Sequence, residues 1–154
     1  MIVETSRFGR VEVDPCNVIE IPRGLIGFPP EQRFILFEHK PGEPFRWLQS
    51  LDDPALALVV VDPHIFFPDY EAEISEEEAR ALGIDDPGEA QILTTVTVRR
   101  SMGQITTNLL GPLVISLRNG RGAQLVLDGD RYTTRHPLPM AARREEEPSL
   151  SSVA

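Results

Sequence analysis

Apolar and polar residues alternate with a period of two at the start of the chain: Phe8, Val11 and Val13 stand among Arg10, Glu12 and Asp14. That period places alternate side chains on opposite faces of a strand. Val18-Ile19-Glu20-Ile21 repeats the pattern and stops at Pro22. Phe34-Ile35-Leu36-Phe37 and Phe45-Arg46-Trp47-Leu48-Gln49 predict two further strands across the turn-forming Lys40-Pro41-Gly42-Glu43-Pro44. Ala57-Leu58-Val59-Val60-Val61 is apolar without alternation, the pattern of a central strand covered on both faces. The β-branched run Ile92-Leu93-Thr94-Thr95-Val96-Thr97-Val98 predicts another. Short strands are expected at 106–110 and 113–117, and Asn119-Gly120 predicts a hairpin joining 114–117 to 124–127.

One short helix is signalled near 75–82. Ser75 is placed as its N-cap, with Glu78 three residues on for a capping box, and Gly83 is placed to end it. Two apolar stretches carry no regular period. Gly24-Leu25-Ile26-Gly27-Phe28 reads as a loop with its apolar side chains folded under it. His64-Ile65-Phe66-Phe67-Pro68-Asp69-Tyr70 is bounded by prolines and reads as irregular or as an edge. The pattern is therefore mostly β. With 154 residues it fits a single domain. From residue 139 the composition turns charged, then small and polar, so 1–138 are expected to fold and 139–154 to form a disordered tail.

Composition removes several classes of function. Acidic residues number 24 against 15 basic ones, a net charge of −9, which argues against a general nucleic-acid binder or docking on anionic lipid. No apolar run approaches the roughly 18 residues of a membrane span, and residues 1–13 hold no signal-peptide core. A cytoplasmic protein is expected. Cys16 is the sole cysteine and has no neighbouring His or cation to activate it, so it reads as buried at a strand edge.

The histidines His39, His64 and His136 show no metal-ligand spacing, so neither a metal nor a cofactor is expected. Asp62, His64 and Asp69 form the nearest approach to a catalytic cluster, and they define the alternative of a small β-barrel enzyme. Turn carboxylates beside a histidine explain the same residues more simply. Asp52-Asp53 and Asp85-Asp86 each precede a proline and read as turn residues.

Charge changes the picture more than chemistry does. Residues 69–89 hold nine acids and only Arg80 as a base, which accounts for −8 of the −9. Across 99–135 the balance reverses: Arg99, Arg100, Arg118, Arg121, Arg131 and Arg135 stand against Asp128 and Asp130. That stretch lacks the interleaved aromatics of a stacking platform, so direct RNA binding is not expected. A charge run alone is ordinarily a solvated face. Here it directly follows an aromatic segment, which suits a protein surface for a basic partner. The plain alternative, aromatics in the core beside solvated acids, stays open.

With these residues in view, the chain resembles the bacterial flagellar assembly factor family FliW. The resemblance is carried by Leu48-Gln49-Ser50-Leu51-Asp52-Asp53-Pro54, by Leu58-Val59-Val60-Val61-Asp62-Pro63 and by Phe66-Phe67-Pro68-Asp69-Tyr70. Gly24-Leu25-Ile26-Gly27-Phe28, Asn108-Leu109-Leu110-Gly111-Pro112-Leu113-Val114-Ile115, Arg131-Tyr132 and Arg135-His136-Pro137-Leu138 add to it. Ser116, Gly129 and Thr133-Thr134 depart from the family pattern at a strand end and a loop.

The resemblance implies a compact β-barrel-like domain without enzymatic activity. It also implies two partners: flagellin, and the RNA-binding translational regulator CsrA, which such factors keep off flagellin mRNA. The free factor is expected to be a monomer. Joined to the charge pattern, it makes Phe66, Phe67, Asp69, Tyr70, Glu71 and Glu73 the expected CsrA-facing surface. The residues single out no flagellin site; a groove taking an amphipathic helix is the expected mode.

Overall fold

Strands are the main regular element of the computed structural model, which describes residues 1–28, 32–38, 40–99, 101 and 103–139. His39, Arg100 and the tail from 140 onward lie outside the described residues.

The opening alternation becomes a hairpin. Strands β1 (Ile2–Thr5) and β2 (Gly9–Glu12) pair antiparallel as a sheet of their own. The Thr5 hydroxyl pins the turn: it accepts from the Phe8 N–H and donates to the Gly9 carbonyl, both at 2.8 Å. Phe8 then lies edge-on to Phe37 and Trp47, with ring centroids 5.5 and 5.4 Å away. Cys16 follows in a 3-10 turn capped by the Asp14 carboxylate and is exposed, not buried at an edge. The Asp-Pro pair that starts this turn keeps Cys16 out of any strand.

The main sheet comprises β3 (Ile19–Ile21), β4 (Gln32–Glu38), β5 (Arg46–Ser50), β6 (Ala57–Val61), β7 (Ala90–Arg99), β8 (Gln104–Thr107), β9 (Leu113–Ser116), β10 (Gly122–Gln124) and β11 (His136–Pro137). Its main path runs β10-β9-β7-β6-β5-β4-β3. The ten-residue β7 is shared. Its first half pairs with β9 (Ala90↔Ser116 to Leu93↔Leu113) and its second half with β8 (Val96↔Thr107 to Arg99↔Gln104). The sheet forks between them, and the Thr107 hydroxyl, 2.7 Å from that of Thr94 and 2.8 Å from the Thr95 carbonyl, fixes the fork.

The barrel-like expectation needs a correction: the sheet curves round but does not close. Its two ends, β3 and β10, meet at a single parallel bridge, Glu20↔Arg121. Pro22, with no N–H to donate, ends β3 before a ladder can form. The Glu20 N–H instead donates to the Gly120 carbonyl at 2.9 Å. Gly120 has φ +71°, and a Cβ there would stand 2.8 Å from the Val18 carbonyl, so the seam admits only glycine.

Both faces of the sheet are covered, as the unbroken apolar run in β6 predicts. Leu48 and Val60 point into the curve with Phe34, Leu93 and Leu113. Trp47, Val59 and Val61 point outward and pack with Phe45, Val96, Val98, Ile105 and Leu138.

Among the described residues, two α-helices interrupt the strands. Helix α1 (Pro63–Phe66) is a single turn where an irregular segment was expected: the Asp62 carboxylate accepts from the His64 N–H at 2.9 Å, and Pro63 takes the first helical position. An Asp-Pro pair ends a strand and caps a helix with the same atoms. Helix α2 (Glu76–Leu82) forms where its signals predict, with only the Ser75 half of the expected capping box: the Glu78 carboxylate accepts from the Ser75 hydroxyl, and the full reciprocal box forms instead at Asp86 and Glu89. The Ser75 hydroxyl accepts from the Glu78 N–H at 3.1 Å, and Gly83 closes the helix in the left-handed conformation. Leu82 and Ile84 dock it on Val114, Ala123 and Leu125. The predicted hairpin forms at β9–β10, with its second strand about two residues earlier than expected. No helix among the described residues is long and apolar enough to cross a membrane.

Candidate functional site

The predicted surface is built where α1 hands the chain to the acidic segment. Phe66 and Phe67 are half-buried against the outer core. The Phe66 ring lies 6.1 Å from that of Phe45, and Phe67 meets His136 edge-on at 5.0 Å. Tyr70 sits deeper, at 4% exposure. Its hydroxyl donates to the Leu109 carbonyl at 2.7 Å. Burial, and then the nearby Tyr132, push the Tyr70 hydroxyl well above the ordinary phenol range. Tyr70 therefore anchors the segment, while Asp69, Glu71 and Glu73 stay exposed beside it.

The far wall comes from the other end of the chain. The Tyr132 ring lies 4.7 Å from that of Tyr70, and its hydroxyl accepts from the Glu71 N–H at 3.0 Å. Arg131 lies 5.2 Å over the Tyr132 ring and 3.9 Å from the Glu71 carboxylate. These two residues form a ridge between two depressions. One, of about 350 Å³, is lined by Glu71, Glu73, Ile74, Glu78, Asp128 and the ridge. The other, of about 310 Å³, is lined by Phe66, Phe67, Asp69, Tyr70, His136 and the ridge. The surface thus pairs half-buried aromatics with exposed carboxylates. Arg131 and Tyr132 were not among the predicted site residues, because only folding brings them within reach of residue 71.

The two charge blocks of the sequence are not separate in space. Arg118 reaches Asp85 at 3.1 Å and Glu89 at 3.6 Å, and Arg131 reaches Glu71. The basic stretch is partly spent on the acidic one, which leaves it a poor phosphate-binding face. Asp69 and Glu73 enter no ion pair among the described residues.

The alternative catalytic trio is only partly assembled. The His64 Nδ1 lies 3.1 Å from the Asp62 carboxylate, and its Nε2 lies 3.1 Å from the Tyr70 carbonyl. Both ring nitrogens are thereby committed to holding α1 against the segment after it. No hydrogen bond joins Asp69 to the pair among the described residues. The paired carboxylates at 52–53 and 85–86 do turn work: Asp53 accepts from the Ala55 N–H and Asp86 from the Gly88 N–H. At Cys16, the hydrogen bond to the Asp14 carboxylate pushes the thiol up, away from nucleophile chemistry.

Comparison with known proteins follows the same lines. A family model described as FliW protein matches residues 2–138. The chain is 43% identical over 146 residues to the flagellar assembly factor FliW of Heliobacterium modesticaldum, covering 95% of each. It is 39% identical over 154 residues to the flagellar assembly factor FliW of Geobacter sulfurreducens, covering 100% of this chain and 96% of that one. A crystal structure of the flagellar assembly factor FliW superposes with a TM-score of 0.79 at 28% identity, covering 89% of this chain and 96% of the other.

Proposed function

Because this chain belongs to the FliW family of flagellar assembly factors, we propose that it acts as a non-enzymatic binding module shared between flagellin and CsrA. In the cytoplasm, flagellin occupies the free monomer while flagellin is plentiful. Once flagellin is exported, the factor is released to bind CsrA and draw it off flagellin mRNA. The switch is mass action between two partners, with no covalent step.

The observation that carries the CsrA half is the surface at residues 66–73. Exposed Asp69, Glu71 and Glu73 rim half-buried Phe66 and Phe67, beside the Arg131–Tyr132 ridge. A protein that binds RNA presents a basic face, and carboxylates on this rim steer such a face inward while the aromatics supply contact area. Tyr70 serves by holding the segment in place through Leu109.

A calorimetric titration of the purified protein with CsrA, repeated in the presence of flagellin, tests the proposal. CsrA should bind, and added flagellin should weaken that binding. Absence of CsrA binding refutes the first half; an unchanged CsrA affinity at saturating flagellin refutes the switch.

A further inference from the structure

The seam between β3 and β10 has a single bridge, Glu20↔Arg121, and side chains supply its other ties. Past Pro22, the Gln124 Oε1 accepts from the Ile26 N–H at 2.8 Å. The expectation that the 24–28 loop folds its apolar side chains inward is met only by Leu25; Ile26 and Phe28 are 60% and 39% exposed.

On the other side, the turn between β9 and β10 ties the seam to α2. The Asn119 Oδ1 accepts from the Arg121 N–H at 2.8 Å, as an Asx turn does. The Asn119 Nδ2 donates to the Leu82 carbonyl, the last of α2, at 3.0 Å. Gly83 makes room for that approach, because a Cβ there would stand 2.9 Å from the Nδ2. The Gly120 N–H donates to the Ser116 carbonyl at 3.0 Å, and the Gly120 carbonyl accepts from the Glu20 N–H at 2.9 Å. One dipeptide thus joins α2, β9 and β3.

The same dipeptide is chemically labile. A backbone nitrogen can attack the side-chain amide carbon of the asparagine before it, and glycine offers that nitrogen with no side chain in the way. Of the three asparagines, Asn17 precedes Val18, Asn108 precedes Leu109, and Asn119 precedes Gly120. We propose that Asn119 is a deamidation site, locked while the seam is closed and released when the turn opens. The Gly120 nitrogen gives up its proton and bonds to Asn119 Cγ; the Cγ–Nδ2 bond breaks, and ammonia leaves carrying that proton. Water then opens the succinimide, at Cγ to leave aspartate or at the main-chain carbonyl to leave isoaspartate. No oxidant or reductant is needed.

In the closed seam the attacking N–H is bonded to Ser116 and both polar atoms of the Asn119 amide are held, so the ring closes only after local opening. Asn119 is exposed, so water reaches it. Either product spoils the joint. Aspartate sets a carboxylate oxygen against the Leu82 carbonyl, acceptor facing acceptor. Isoaspartate adds a carbon to the main chain just before Gly120, whose Cα already lies close under the Val18 carbonyl.

The test keeps the purified full chain at mildly alkaline pH, folded and in urea, and follows each asparagine by peptide mapping with mass spectrometry. In urea Asn119 should deamidate faster than Asn17 and Asn108; in the folded chain its rate should fall about tenfold or more. No excess at Asn119 in urea overturns the site, and equal rates in the two states overturn the lock. Asn119→Asp carries the aspartate product. Its urea midpoint should fall, and amide hydrogen exchange at Glu20 and Gly120 should quicken severalfold. A variant with the parent's midpoint and exchange overturns the coupling of this site to the seam.

Discussion

Removing one oxygen atom from Tyr70 tests whether that residue anchors the site from within. In Tyr70→Phe the ring keeps its packing, but the Leu109 carbonyl loses the hydroxyl that donates to it at 2.7 Å. Leu109 is itself buried, so water does not replace the bond without rearrangement. A buried acceptor left unpaired costs about 1–3 kcal/mol. In a domain of this size each kcal/mol moves the melting temperature by about 2–4 °C, so the variant should melt roughly 2–12 °C lower at neutral pH.

The same hydroxyl gives a pH signature. Burial raises its pKa in the folded state above the ordinary phenol value of about 10. A raised pKa means that its contribution is complete below the unfolded value. It is lost as pH climbs from there through the folded value, because the unfolded chain gives up its proton first. The gap in stability between the parent and Tyr70→Phe should therefore be constant up to about pH 10 and narrow above it. Differential scanning fluorimetry from pH 7 to 11 reads both effects. Equal melting temperatures at pH 7, or a gap that stays constant to pH 11, would refute the reasoning.

Three further outcomes follow from other parts of the molecule. Reversing Asp69, Glu71 and Glu73 to lysine should slow CsrA association about tenfold and flatten its salt dependence; stopped-flow rates identical to the parent's would remove the acidic rim from the interface. Gly120→Ala should destabilise by about 1–3 kcal/mol in urea denaturation, because a Cβ at positive φ meets the Val18 carbonyl at the sheet's seam; an unaltered midpoint would show that the seam yields freely. Burial raises the Asp52 carboxyl, but the hydrogen bonds and charge of Arg33 outweigh it and hold the group below the usual carboxylate range. Their contribution is complete above about pH 4 and lost as the pH falls further. Asp52→Asn should therefore cost about 0.2–1 kcal/mol at pH 7 and nothing near pH 2; a loss that persists in acid contradicts the pairing.

Elements governed by nearby residues were legible in the chain. Ser75, Glu78 and Gly83 specify α2 because caps act over one turn, and Asn119-Gly120 specifies a hairpin because a turn needs only its own dihedrals. The unbroken run 57–61 marked the central strand because covering both faces of a sheet leaves no polar alternation. Asp-Pro pairs were legible only as stops. Whether the chain then turns or winds into α1 depends on the aromatic residues finding Phe45 and His136, which lie far away in sequence.

By itself the sequence determined a mostly β domain, the place of its one capped helix, the family it belongs to and a surplus of acid after the aromatic segment. Each is a property of adjacent residues or of an ordered pattern along the chain. The tertiary structure decided that the sheet stays open at Glu20↔Arg121, that Tyr70 is buried and bonded to Leu109, and that Arg118 and Arg131 fold back onto the acids. It also left Ile26, Phe28 and Val126 around one groove. These outcomes rest on approaches between residues tens of positions apart, such as Tyr70 with Leu109 and Ile26 with Gln124. Local periodicity carries no information about which distant partners will meet, because long-range contacts are chosen by how the whole core packs.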